Sequence, residues 1–259
     1  MTIPFEDEPS VATPDLPGEV YVGQTREELL DAIGADVLIH AQLCERKCGD
    51  FHLLMTAGPG PEALCVRLMT DPQFRDIPWR KTNVWLAAEA EVEIDDTRST
   101  HKRLADLLVG HSGMPRSNVH AVPWQTGNPQ KKYGEKLFKA LSRRERGHDR
   151  PDCAILSIDP DSSVVAAPAW RPGRADTGAF EAVESDVAGV GGISASPTLL
   201  SAARVVAMIG TGESCRGAVA GAVAGAPGSE VWARAEPLAG VMRWYLDEAA
   251  VPASAGGGS

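Results

Sequence analysis

No stretch of this sequence reaches the roughly 18 consecutive apolar residues that a membrane-crossing helix needs, so the chain is expected not to span a bilayer. Positive charge is also scarce. The sequence has 25 Lys and Arg against 35 Asp and Glu, a formal net charge of -10. No segment concentrates enough cations to neutralise a run of backbone phosphates, which excludes nucleic acid as an expected partner. The most basic stretch, Lys131 to Arg150, spaces its cations as the solvent face of a helix does. Cysteine is sparse as well. The five thiols, Cys44, Cys48, Cys65, Cys153 and Cys215, form neither a disulfide framework nor a four-ligand zinc pattern. Cys44 and Cys48 stand four apart on an expected helix, but no second pair completes a site, so neither a metal nor a cofactor is expected. The acidic, proline-containing N-terminus is unlike a secretory signal, and the protein is expected to be cytoplasmic.

What is present is an alternation of helix and strand between two polar ends. Residues 1–18 hold four prolines among acidic and small residues, and residues 252–259 are small and glycine-rich, so both are expected as tails around one domain over 19–251. Thr25 precedes Glu27 and Glu28 as an N-cap precedes an acidic first turn. Leu29, Leu30, Ile33, Val37, Leu38 and Leu43 follow at helical spacing up to Gly49. FHLLMTAG reads as a strand running into the turn Ala57 to Pro61, with a second helix from Glu62. TNVWLAAEAEV reads as a buried strand, a helix starts at Thr100, SNVHAVP is a strand, and Gln130 to Arg146 is a helix. PDCAILSI and ARVVAMIG are short apolar strands, Ser214 to Val223 is a helix, and AGVMRWYLDEAA is expected to close the fold as a helix. The stretch from Arg171 to Gly192 has no period and is expected as a surface excursion. The fold class is therefore α/β, a mainly parallel sheet with helices on both faces, and ligands are expected beyond the carboxyl ends of the strands.

The order and content of these segments resemble the 6-phosphogluconolactonase family, related in fold to glucosamine-6-phosphate isomerases. FHLLMTAGPGPEAL is similar to that family's strand and Ser-Gly-Gly-Ser-Thr-Pro loop, and TNVWLAAEAEVEIDDTRST to its Gly-Asp-Glu-Arg strand with the Val-Pro and Ser-Asn that follow. SNVHAVP resembles its Asn-Val-His strand, and PDCAILSIDPDSSVVAAP the strand ending in Gly-Met-Gly-x-Asp-Gly-His-Thr. SAARVVAMIGTGESCRGAV resembles the segment carrying Thr-Gly-x-x-Lys-Ala, and WYLDEAA the closing helix.

The resemblance implies hydrolysis of a sugar lactone, which needs a base, donors for an oxyanion and cations for a remote phosphate. At the family's catalytic His this chain has Ser163, which is no base near neutral pH. Asp161 matches the loop Asp and Glu89 the Glu of Gly-Asp-Glu-Arg, so Ser163, Asp161 and Glu89 are the candidate catalytic positions. His101, His111 and His120 match no catalytic position. Ala90 stands where the family has Arg, Gly192 where it has a second Arg, and Cys215 where it has Lys, with Arg216 one position on. Of the phosphate loop, Thr56, Gly58 and Gly60 are candidate binders, while Pro59 removes a backbone donor. Gly212 and Arg216, at the start of a later helix, form a second candidate anion site, and Arg171 and Arg174, beside a Pro-Gly turn, are either candidates to supply charge lost elsewhere or solubilising surface residues. Two readings stay open. One is a non-catalytic relative that binds a sugar-phosphate ligand, or a protein partner against a cleft lined by Ala87, Ala88, Ala90, Ala166 and Ala167. The other is an active lactonase with relocated groups. An amino-sugar isomerase has no candidate constellation.

Overall fold

A computed structural model describes residues 13–158, 178–183, 190–225 and 235–252. Its centre is a seven-stranded sheet in which every pairing is parallel, in the order β1-β10-β9-β6-β2-β3-β5. The strands are β1 (Glu19–Gly23), β2 (Phe51–Met55), β3 (Thr82–Leu86), β5 (Val119–His120), β6 (Cys153–Ser157), β9 (Val205–Gly210) and β10 (Val241–Asp247). A second, antiparallel sheet joins β4 (Ala88–Ala90), β8 (Gly192–Ala195) and β7 (Phe180–Val183) in the order β4-β8-β7. The helices are α1 (Arg26–Cys48), α2 (Pro59–Thr70), α3 (Thr100–Ser112), α4 (Pro129–Leu141), α5 (Pro197–Ala202) and α6 (Arg216–Val223). Every residue of β2, β6 and β9 is buried, which is why these strands read as unbroken apolar runs rather than alternating ones. Among the described residues no helix is long and apolar enough to cross a membrane.

Local chemistry places α1 as its sequence predicts. The Thr25 hydroxyl accepts from the Glu28 amide at 3.2 Å, and Gly49 ends the helix in the left-handed region at φ 83°. Several expectations need correction. AGVMRWYLDEAA does not close the fold as a helix: Val241–Asp247 is a strand, paired on both sides by β9 and β1. Its run of Met, Trp, Tyr and Leu fits either period, and two waiting strand edges decide between them. TNVWLAAEAEV is two strands in different sheets, because the chain leaves the large sheet after Leu86. The stretch expected as a surface excursion contributes β7, whose Phe180 is buried against Tyr133 with ring centroids 4.8 Å apart. Helix α2 starts at Pro59, three residues earlier than expected, and α4 stops at Leu141. Residues 13–18, expected as part of a tail, pack on the domain: Leu16 is buried, and the Trp244 indole donates to the Pro17 carbonyl at 2.8 Å.

The chain runs outward from β2 through β3 to β5, then returns to build β6, β9 and β10 on the other side, where β10 pairs with the first strand, β1. The order therefore reverses between β2 and β6, and the crevice beyond their carboxyl ends is where an open parallel sheet accepts a ligand.

On β3, Trp85 lies between two histidines. Its indole donates to His52 Nδ1 at 2.9 Å, and its ring stacks on His120 with centroids 3.8 Å apart. Burial, helped by Lys136, His52 and His101 nearby, holds His120 down to about 3. The unfolded chain, with His near 6.5, then binds more protons than the folded one between the two values, so stability falls as pH drops through that window. One such histidine contributes a slope of at most about 1.4 kcal/mol per pH unit. Urea unfolding of wild type should weaken between about pH 6 and pH 4 more steeply than that of His120→Gln. Parallel slopes for the two proteins would refute this role for His120.

Candidate functional site

Thr56 to Gly60 follow β2 at the point where the strand order reverses. Thr56 is fully buried, and its hydroxyl accepts from the Ser157 amide at 2.9 Å while its own amide donates to the Ile155 carbonyl at 3.1 Å. It joins the ends of β2 and β6. Gly58 lies at φ 134°, and a Cβ there would come 2.8 Å from the Ser157 hydroxyl, so only glycine fits this turn. The Gly58 amide, which opens α2, donates to Glu62 Oε1 at 2.9 Å, and the same carboxylate is ion-paired with Arg103 of α3. Pro59 and Pro61 carry no amide hydrogen. Gly60 packs so closely on Ile209 that a Cβ would meet its Cγ2 at 2.6 Å. The Arg26 guanidinium reaches this loop, donating to the Pro59 carbonyl at 3.1 Å.

The second glycine turn is arranged alike. The Gly212 amide donates to both carboxylate oxygens of Asp247 at 2.9 Å, and Asp247 Oδ1 also accepts from the Ala250 amide. Arg216 donates to the Ala249 carbonyl at 3.0 Å and lies 3.5 Å from Glu213, so its charge is engaged by the turn just after β10 and by its own helix start. Cys215, where the resemblance implies a Lys, is buried with its thiol 3.5 Å from the Ile158 carbonyl.

Glu89 is buried on β4, and its carboxylate caps α3. Oε1 accepts from the amides of Thr100 (2.8 Å) and Ala90 (3.1 Å), and Oε2 from the amide of His101 (2.8 Å) and the hydroxyl of Ser99 (3.2 Å). Burial pushes this carboxyl above the ordinary carboxylate range, against the pull of those four donors. With both oxygens engaged, Glu89 orients a helix terminus that carries partial positive charge. Beside it, Gly192 pairs with Ala90 across β8 and β4. A Cβ on Gly192 would lie 2.4 Å from the Glu89 carbonyl oxygen, so this backbone leaves no room for a side chain where the resemblance implies an Arg.

Of the predicted site residues, Thr56, Gly58 and Gly60 gather at the ends of β2 and β6, Gly212 and Arg216 follow β9, and Glu89 lies on β4. Asp161, Ser163 and Arg171, with Arg174, Ala166 and Ala167, lie outside the described residues. Sequence reasoning missed Glu62 and Asp247. The signal for Glu62 was its place four residues after a helix-opening glycine, where an acid can turn back onto the cap. Asp247 gave none, since it pairs with a turn 35 residues away.

Comparison with known proteins agrees with this architecture. The sequence matches the family described as glucosamine-6-phosphate isomerases/6-phosphogluconolactonase over residues 24–246. It is 33% identical over 97 residues to the human GDH/6PGL endoplasmic bifunctional protein, a match covering 38% of this chain and only 12% of that protein. It is 23% identical over 230 residues to a 6-phosphogluconolactonase of Haemophilus influenzae, covering 88% of this chain and 96% of the relative. Among solved structures, 6-phosphogluconolactonase from Leishmania guyanensis superposes with a TM-score of 0.74 at 15% identity, covering 93% of this chain and 99% of that one. The Thermotoga maritima 6-phosphogluconolactonase does so with a TM-score of 0.71 at 16% identity, covering 88% and 99%. With the family matched from the first helix to the last strand, and the parallel sheet and its glycine turns in place, the chain belongs to the glucosamine-6-phosphate isomerase/6-phosphogluconolactonase family.

Proposed function

We propose that this member of a sugar-phosphate-processing family has itself lost lactone hydrolysis, and that its framework is retained for a non-catalytic role, binding another ligand or a protein partner. One observation carries the reading. The amide that opens α2 beside the strand-order reversal is bound by the chain's own Glu62, and the prolines on either side of Gly60 offer no donor. An incoming phosphate would have to displace a carboxylate already paired with Arg103, and the negative charge of Glu62 opposes it. Asp247 holds the Gly212 amide in the same manner. Ala90, Gly192 and Cys215 supply no cation, and each charge-assisted contact missing from a substrate complex costs about 2 kcal/mol, so three weaken binding by several orders of magnitude. Ser163 in place of the family's histidine removes the base from the position the resemblance implies.

The test is hydrolysis of freshly generated 6-phosphogluconolactone against its spontaneous background, with 6-phosphogluconate binding measured by calorimetry. The expected result is a rate indistinguishable from background and no saturable binding at about 1 mM ligand. Turnover above background would overturn the proposal. It would establish the second reading, an active lactonase with relocated groups, which the near full-length match to the Haemophilus influenzae relative favours.

A further inference from the structure

Helix α1 carries an outer stripe that packing against the sheet does not explain. Its inward side chains, among them Leu29, Ile33, Val37, Ala41 and Cys44, are buried. On the outer side Glu28, Ala35, Ile39, Leu43 and Arg46 are exposed and Ala32 is half-buried. Each of these residues lies three or four positions from the next, so they form one line along about five turns of helix. Ile39 is 54% exposed and Leu43 40%. Beside the line, Tyr21 of β1 is 41% exposed, and with Ala32, Asp36 and Tyr245 it borders a hollow of about 430 Å³. Three of the eight large apolar side chains exposed among the described residues therefore share this face, which is the mark of a contact surface.

The charge along the line identifies the occupant. Glu28 stands at its start, and Arg46, followed by Lys47, at its end. Acid at the start of a helix and base at its end answer the helix dipole, but the dipole does not ask for Ile39 and Leu43 to lie exposed between them. Against an antiparallel copy of itself the line is complementary throughout. Glu28 meets the partner's Arg46, Ala32 the partner's Leu43, and Ala35 the partner's Ile39. The three pairings share one midpoint, near Val37, as a two-fold axis requires. In both apolar pairs a large side chain faces an alanine, which lets two helices approach closely. A parallel copy would instead set like charge against like at both ends. Asp36, on the flank, is already paired with Arg243, and the Glu28 carboxylate accepts from the Gln24 amide at 3.1 Å, which fixes it at the helix start.

We infer that a second copy of this chain docks on α1, antiparallel about a two-fold axis near Val37, with Leu43 of each copy brought to the partner's Ala32 and the hollow beside it. One helix pair buries less than a standard interface, so the dimer is expected to be weak, with a dissociation constant of about 10–100 µM. The inference rests on neither reading of the glycine turns and stands whether or not the chain hydrolyses a lactone.

The test is sedimentation velocity of the whole chain from about 1 µM to about 500 µM, a range that brackets the expected constant. A concentration-dependent monomer–dimer equilibrium is expected. Ile39→Ser/Leu43→Ser, which leaves the charges at both helix ends in place, should weaken it at least about tenfold. Glu28→Lys alone, and Arg46→Glu/Lys47→Glu alone, should each weaken it about tenfold, because like charges then meet at both ends of the pair. An equimolar mixture of those two charge variants should dimerise as wild type does, since each end again joins opposite charges. Circular dichroism and urea unfolding confirm that each variant is folded before it is compared. A monomer at every concentration, a dimer indifferent to the serine pair, or a mixture as weak as its two components would each overturn the proposal.

Discussion

Replacing Arg144 with methionine is expected to cost the protein about 3–5 kcal/mol of folding free energy. The Arg144 side chain is 2% exposed and lies below the amino ends of β2, β6 and β9. Its Nε donates to Asp50 Oδ1 at 2.7 Å, and Nη1 and Nη2 donate to the two oxygens of Asp152 at 3.0 and 2.8 Å. Remaining hydrogens reach the carbonyls of Asp50, His148 and Arg150. This geometry raises the guanidinium above its ordinary range: burial disfavours the charge, and the two carboxylates outweigh burial. Asp152 is wholly buried, and it also accepts from the His52 amide at 2.8 Å and from Arg204 at 3.3 Å. Methionine fills much of the space but strands that carboxylate with one long contact to a cation. The loss therefore measures an uncompensated buried charge more than a missing attraction. The double variant Arg144→Met/Asp152→Asn should recover about 1–3 kcal/mol relative to additivity. A single-variant loss under about 1 kcal/mol by urea unfolding would show that water reaches this site and solvates Asp152.

Trp85→Ala is the second large effect, an expected loss of about 3–5 kcal/mol. Trp85 is fully buried, stacked on His120 and 5.7 Å from the Tyr133 ring. Tyr133 ties the same region together, donating to the His120 carbonyl at 2.9 Å and accepting from the Leu86 amide at 2.8 Å. Truncation opens a cavity at the layer that seats β3 and β5, the strands leading to Glu89 and to Trp124. Trp85→Phe separates packing from hydrogen bonding. It keeps most of the ring contact but leaves His52 Nδ1 without its donor, for an expected cost of about 1–3 kcal/mol. Equal losses in the two variants would mean that the indole hydrogen bond, and not the volume, holds this layer.

Elements whose physics is local can be read from the residues alone, as can the family. Thr25, Glu27, Glu28 and Gly49 mark the ends of α1 because capping acts within a few residues. The apolar runs 51–55, 153–157 and 205–210 announce buried parallel strands because both faces must leave water. The order of six motif-like segments was enough to place the chain in its family. Whatever depends on residues distant in sequence waits on the folded chain. Val241–Asp247 became a strand because β1 and β9 each offered an edge, although its apolar pattern suits a helix as well. Glu89 caps a helix that starts eleven residues later, so its type alone could not separate an acid–base role from a capping one. Gly192 has no room for a side chain because the Glu89 carbonyl of another strand lies against it. Only the folded chain brings Asp247 to the Gly212 amide, and only there do Tyr21, Ala32 and Tyr245 border one hollow beside the outer line of α1. Charge and hydrogen bonding act over a few ångströms, and the fold alone sets which groups come that close.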